Sequence, residues 1–119
     1  MAKHIETGQK GEALATDFLK EKGYRILETN WRFSKAEIDI IAMDGEVLVF
    51  VEVKTRSYDY FGKPEESVTE KKQHLLADAA KVYMTQINHE WEIRFDVVAI
   101  VLGEPNEIKH FEDAFFPGL

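Results

Sequence analysis

Apolar residues along this chain follow first a helical period, then a strand period, then a helical one again. Between residues 8 and 22, Gly11, Leu14, Ala15, Phe18 and Leu19 recur at i, i+3, i+4, i+7 and i+8, the stripe of a helix with one buried face. Gly23 marks its end, because glycine accepts the left-handed backbone that closes a helix. Glu12 falls at the border of the stripe, beside Leu19 on a helical wheel. Shorter apolar runs follow. Tyr24 to Phe33 predicts a first strand, Ile38 to Ala42 a second and Val47 to Lys54 a third, with Asp44-Gly45 as a hairpin turn between the last two.

Helical spacing returns after a polar loop, Thr55 to Glu66. Leu76, Ala79, Ala80, Tyr83 and Ile87 form one stripe, and Ser67 and Glu70 have the spacing of a capping box. Ile93 to Leu102, rich in β-branched residues, predicts a fourth strand. Gly103-Glu104-Pro105-Asn106 turns the chain toward a short strand, Ile108 to Phe111, and a packed tail at Phe115-Phe116. The order is α-β-β-β-α-β(-β). A helix between the third and fourth strands is a crossover connection, which makes those two strands parallel. One domain spanning 1–119 is expected, since no repeat, low-complexity segment or linker divides it.

The third strand stands out because Leu48-Val49-Phe50-Val51 runs into Glu52-Val53-Lys54. Side chains alternate along a strand, so Glu52 and Lys54 emerge on one face. A charge in a strand core is costly unless it has a partner or a task. A two-residue Asp44-Gly45 turn would pair Ile41 with Leu48, Asp39 with Phe50 and Glu37 with Glu52. Asp39 would then share the face of Glu52 and Lys54, diagonal to Glu52. A loop one residue longer would turn Asp39 to the other face. Two neighbouring carboxylates repel unless something positive lies between them. A hard divalent cation would meet that need, and Mg2+ commonly uses one or two carboxylates plus water and phosphate oxygens. The plain alternative is a charged fringe, or an ion pair at a sheet end.

Composition changes this picture in three ways. Apolar residues make up 45%, which argues for a packed core. There is no cysteine, so thiolate metal sites are excluded, and His4, His74, His89 and His110 show no zinc-ligand spacing. The net charge is -7, nearly neutral over residues 1–56 and acidic beyond, which argues against a broad polyanion-binding surface. A nucleic-acid site must therefore be a local patch. Arg56, Lys63 and Lys71 could supply a basic rim, though each taken singly reads as solvated surface. Lys72 falls within the second apolar stripe, either snorkelling at a helix N-terminus or reaching for phosphate. Asp96, in Arg94-Phe95-Asp96-Val97-Val98, reads as a structural hydrogen-bonding carboxylate. The N-terminus lacks the apolar core of a signal peptide and no apolar run is long enough to span a bilayer, so a cytoplasmic location without membrane partners is expected.

Asp39 followed by Glu52-Val53-Lys54 resembles the metal-dependent nuclease signature Asp…(Asp/Glu)-X-Lys of the restriction-endonuclease-like fold. A longer frame is similar to the YraN-like family of bacterial proteins, related in fold to archaeal Holliday-junction resolvases. It comprises Gly11-Glu12, Gly23-Tyr24-Arg25-Ile26-Leu27, Asn30-Trp31-Arg32, Glu37 to Ala42, Val49 to Arg56, Val68-Thr69, Lys72-Gln73 and Arg94 to Val98. One position differs: Ala36 stands before Glu37 where the family usually has glycine. The resemblance implies an α/β fold with an αβββαβ core, a mixed central sheet flanked by helices. It implies Asp39, Glu52 and the Val53 carbonyl as ligands of Mg2+ (or Mn2+), Lys54 as the signature lysine and Glu12 as a further acidic site residue. Arg56, Lys71 and Lys72, read from their charge and position rather than from the resemblance, are the candidate nucleic-acid contacts. The function expected is metal-dependent hydrolysis of DNA, including branched or repair intermediates, by a homodimer. The alternatives are a non-catalytic nucleic-acid- or protein-binding module of the same fold and a hydrolase of small phosphodiesters.

Overall fold

The helical period of the N-terminal segment produces α1 (Ala2–Glu21), which begins six residues before the start at residue 8 that the sequence predicts. The computed structural model describes residues 2–56 and 68–117, with side chains from Gly8 onward. Gly11, Ala15 and Leu19 are buried, and Leu14 and Phe18 are partly so. Gly23 ends the helix with φ +95. Its N–H donates to the Lys20 carbonyl (2.9 Å) and that of Tyr24 to the Leu19 carbonyl (3.0 Å), the paired closing bonds of a Schellman motif.

The strands are β1 (Arg25–Phe33), β2 (Ala36–Asp44), β3 (Val47–Arg56), β4 (Ile93–Val101) and β5 (Glu107–Phe115), with α2 (Glu70–Gln86) between β3 and β4. They form one sheet in the order β1-β2-β3-β4-β5. β3 and β4 are parallel, as the crossover through α2 requires, and the other neighbours are antiparallel. The αβββαβ core with a mixed sheet is present, consistent with a restriction-endonuclease-like architecture. β5 is a full strand, longer than the Ile108–Phe111 segment that apolar content marks. Phe115 ends it against the core and Phe116 is exposed.

The two faces of the sheet carry separate cores. On one, Leu76, Ala79, Ala80 and Tyr83 of α2 pack on Ile38, Ile41, Leu48, Phe50, Phe95 and Val97. On the other, Ala15 and Leu19 of α1 pack on Ile40, Ala42, Val49, Val51, Val98 and Ile100. Both edge strands are irregular. β1 carries an extra residue between Ile26 and Glu28, and β5 slips register opposite Phe95 and Val97, where Asp113 has φ +54. A buried polar network lies beside that slip. Asp96, fully buried, accepts hydrogen bonds from Arg94 (2.9 and 3.0 Å) and from the Asp113 N–H (2.9 Å), and lies 2.7 Å from His110 Nε2. Arg94 also reaches Asp44 and the Tyr24 hydroxyl. Asp96 is thus a buried hydrogen-bonding carboxylate, in line with the reading of its sequence.

Two details of the sequence reading are corrected. Asp44 pairs with Val47, so the hairpin turns at Gly45-Glu46, and Ile41 faces Phe50 rather than Leu48. Gly45 supplies the left-handed φ of +61 that this turn needs. Thr69 caps α2, its side chain accepting from the Lys72 N–H (3.2 Å), and Ile87 lies past the helix, exposed. The loop beyond Arg56, with Lys63, and the Ser67 cap lie outside the described residues.

Candidate active site

The shift of the hairpin is two residues, which preserves side-chain parity. The β2–β3 ladder ends at Ile40 opposite Val51, and one further step in that register brings Asp39 directly opposite Glu52. The simple shared-face picture needs revision here. Ile38 belongs to the α2-side core and Ile40 to the α1-side core, so strict alternation fails across Asp39. Neighbouring β1 places Asn30, with φ +53, between the residues that pair with Ile38 and Ile40. Asp39 thereby turns its carboxylate toward β3, where Oδ2 accepts the Val53 N–H at 2.8 Å.

Glu52 sits on the same side of the sheet as Phe50, under the first turn of α2. Its Oε1 accepts from the Lys72 ammonium at 2.5 Å, and the Lys54 ammonium stands 3.9 Å from the same oxygen. Asp39 and Glu52 are both buried, 8% and 6% exposed. Burial, and then the charge of Glu52, push the Asp39 carboxyl up to about 7, against the pull of the Val53 N–H. Burial and the adjacent Lys72 depress the Lys54 ammonium, with Glu52 and Asp39 opposing. Burial also works against the charge of Lys72, but its hydrogen bond and attraction to Glu52 and the charge of Asp39 outweigh this and raise it. The two lysines are therefore unequal: Lys72 is held as a cation, while Lys54 is pushed toward neutrality.

Glu12 reaches this cluster from α1. The helix can approach β3 because Gly11 has no side chain: a Cβ there would lie 1.8 Å from Thr55 Oγ1. Partial burial raises the Glu12 carboxyl, a hydrogen bond from Asn30 opposes this, and the charges of Glu37 and Glu52 add to the rise. The sequence-predicted residues Glu12, Asp39, Glu52 and Lys54 thus form one electrostatic cluster. Lys72 joins it as a partner of Glu52 rather than as part of an outlying rim. Val53 contributes its N–H to Asp39. Arg56 ends β3, with its guanidinium donating to the Thr55 carbonyl (3.0 Å), and Lys71 is exposed on α2. Sequence reasoning missed the Lys72–Glu52 pair and the Asn30–Glu12 bond. The position of Lys72 in the apolar stripe was a usable signal for the first; for the second the trace was Asn30 within the family-like stretch Asn30-Trp31-Arg32, which did not point to Glu12.

Among the described residues, no three Asp, Glu or His side chains are arranged to hold a metal ion by themselves. The donor set still suits a hard cation. Two buried carboxylates, one with its proton affinity raised by burial and then by the charge of the other, favour a positive charge between them. Mg2+ needs no more protein ligands than that pair. No helix among the described residues is long and apolar enough to cross a membrane.

The resemblance to the YraN-like family is upheld by comparison with known proteins. The uncharacterised protein family UPF0102 matches residues 11–100. A UPF0102 protein of Flavobacterium psychrophilum is 50% identical over 117 residues, 98% of each chain. One of Thermodesulfovibrio yellowstonii is 50% identical over 112 residues, covering 94% of this chain and 97% of its own. One of Christiangramia forsetii is 45% identical over 117 residues, 98% of each. With Gly11, Glu12, Asp39, Glu52, Lys54, Lys72 and Asp96 all inside the matched span, this chain belongs to the uncharacterised protein family UPF0102.

Proposed function

We propose that this chain is a metal-dependent nuclease that hydrolyses phosphodiester bonds in DNA, including branched or repair intermediates. The observation that carries the reading is the buried Asp39–Glu52 pair with the Lys54 ammonium 3.9 Å from Glu52. Asp39 and Glu52, with the Val53 carbonyl, would hold Mg2+ or Mn2+. Bound there, the ion would neutralise the carboxylates and stabilise charge on a phosphate oxygen. The Val53 N–H fixes Asp39 in its rotamer, which pre-orders the pair. Lys54, depressed by burial and by Lys72, is suited to orient an attacking water and to take up or share its proton. In the reaction the water oxygen forms a bond to phosphorus, one ester P–O bond breaks, and the leaving oxygen is protonated. Glu12 orders the solvent side of the cluster. Lys71 and Lys72 of α2 and Arg56 of β3 supply local positive charge for the DNA backbone.

The test is cleavage of linear, flapped and four-way DNA with Mn2+, run beside Lys54→Ala. Cleavage by the wild type and a loss of at least about 100-fold in the variant is expected. Equal residual cleavage would mean that the activity comes from a contaminant. The acidic balance, -7 overall, favours a second reading, a binding module of the same fold that recognises nucleic acid or a protein partner without turnover. The absence of cysteine fits a reducing compartment, and the cytoplasm is the location we propose. A homodimer would suit a two-fold symmetric substrate.

A further inference from the structure

We propose that the Lys72 ammonium is the resident counter-ion of the Asp39–Glu52 pair, and that a divalent cation binds here only by displacing it. This rests on the reading of Asp39 and Glu52 as cation ligands.

Three observations support it. The Lys72 Nζ contact with Glu52 Oε1, at 2.5 Å, is a short charge-assisted bond, against 3.9 Å for Lys54. That oxygen belongs to a side chain only 7% exposed, so an incoming ion and the ammonium compete for the same buried atom. Charges of like sign a few ångströms apart repel strongly outside bulk water. One of the two lysines must therefore move, and the fold makes Lys72 the mobile one. Its side chain is 38% exposed and springs from the first turn of α2, whereas that of Lys54 is 21% exposed and stands on a central strand. The positive end of the helix dipole gives a cation at that position no support. Lys72 is held over the pair chiefly by Glu52, and it can swing to solvent along its own exposed flank.

Displacement gives the site an order of events. The cluster folds with its charges balanced, and the divalent ion then exchanges with an ammonium. That exchange frees Lys72 beside the position where a phosphodiester would approach. Lys72 thus lowers the affinity for the metal while keeping a cation in store for the substrate.

The experiment is calorimetric titration of Mn2+ into the full chain, comparing wild type with Lys72→Met, Lys81→Met and Glu52→Gln. Lys81→Met removes the same charge from an exposed position on α2 and controls for net charge. Lys72→Met should bind Mn2+ about tenfold tighter than wild type, the scale of one charge-assisted contact. Lys81→Met should stay within about twofold, the size of a surface-charge effect. Glu52→Gln should lose binding. Acylation of lysines read by mass spectrometry gives a second measure: Mn2+ should speed labelling of Lys72 in the wild type. In Glu52→Gln, Lys72 should be labelled rapidly with or without the ion. If Mn2+ binds the wild type and Lys72→Met equally, displacement is wrong and the metal site stands. If neither binds Mn2+, the ligand reading itself fails, and this inference with it. Lys72 labelling that ignores Mn2+ in a wild type that binds it also overturns the proposal.

Discussion

Asp39 is a buried carboxylate whose environment favours its protonated form. Its carboxyl is pushed up to about 7, chiefly by burial and then by Glu52. A raised carboxyl favours folding in its protonated form. The stability it contributes is complete below the ordinary carboxylate range and is lost as pH climbs through about 7. Asp39→Asn keeps an acceptor for the Val53 N–H and removes that loss. In chelator-containing buffer the variant should melt higher than wild type at pH 8, by on the order of 2 kcal/mol, and the two melting curves should converge near pH 4. Scanning calorimetry across that range checks it. Convergence at every pH would show that Asp39 is solvated. Residue identities were legible in the sequence here: the signature singles out Asp39, Glu52 and Lys54, and the structure brings the three into one electrostatic cluster. The turn of Asp39 toward β3 was not, because it arises from a break in alternation that Asn30, on another strand, accompanies.

Among the elements, α1 and the β2–β3 hairpin set the site. The hairpin shows why register is difficult to read. Asp44, Gly45 and Glu46 all suit a turn, and only the strand pairing decides among them. The choice of Gly45-Glu46 changed every partner along the ladder but not the parity, so the neighbourhood of Asp39 and Glu52 survived the error. The contact of α1 with β3 had a clearer trace, Gly11 in an otherwise larger stripe, although nothing in the sequence named Thr55 as the reason. Gly11→Ala would drive a methyl into the Thr55 side chain. A loss of about 1–3 kcal/mol is expected from overpacking. Thr55→Gly in the same chain should restore part of it, and urea denaturation of the single and double variants measures both. Two independent, additive losses would show that the two residues do not meet. A second effect follows for Glu12, one residue along: in Gly11→Ala, the displaced helix should weaken Mn2+ binding even where the chain remains folded.

At the scale of the whole molecule, the Asp96 network joins β2, β4, β5 and the turn after α1, on the strand beside the candidate site, where Asp96 pairs with Val51. Arg94 and Asp96 on β4 meet Asp44 on β2, Asp113 and His110 on β5, and the Tyr24 hydroxyl just past α1. Burial alone would raise the Asp96 carboxyl, but bonds to His110, Arg94 and the Asp113 N–H outweigh it and hold it below its ordinary value. Its contribution is therefore present above the ordinary carboxylate range and lost as pH falls through the lowered value. Asp96→Ala should cost about 3–5 kcal/mol at pH 7, since it strands buried partners, and the gap from wild type should narrow under acid. Denaturant midpoints at pH 7 and pH 3 test this, and a constant gap would count against the linkage. The chain order and the parallel β3–β4 pair were legible from periodicity and crossover logic. The network was not, because Arg94, Tyr24 and His110 lie far apart in sequence and no spacing rule joins them.

The irregular outer strands have a consequence for how this protein behaves in a crowded solution. β1 and β5 are the two sides on which the sheet could grow, and each is interrupted, by the extra residue near Leu27 and by the slip around Asp113. Charged side chains punctuate both, with Arg25, Glu28 and Arg32 exposed on one and Lys109, Glu112 and Asp113 on the other. An incoming strand would find neither a straight row of backbone partners nor a smooth apolar border. Among the described residues the sheet ends at five strands, and its interrupted, charged edges disfavour self-association by edge pairing, the first step toward fibres.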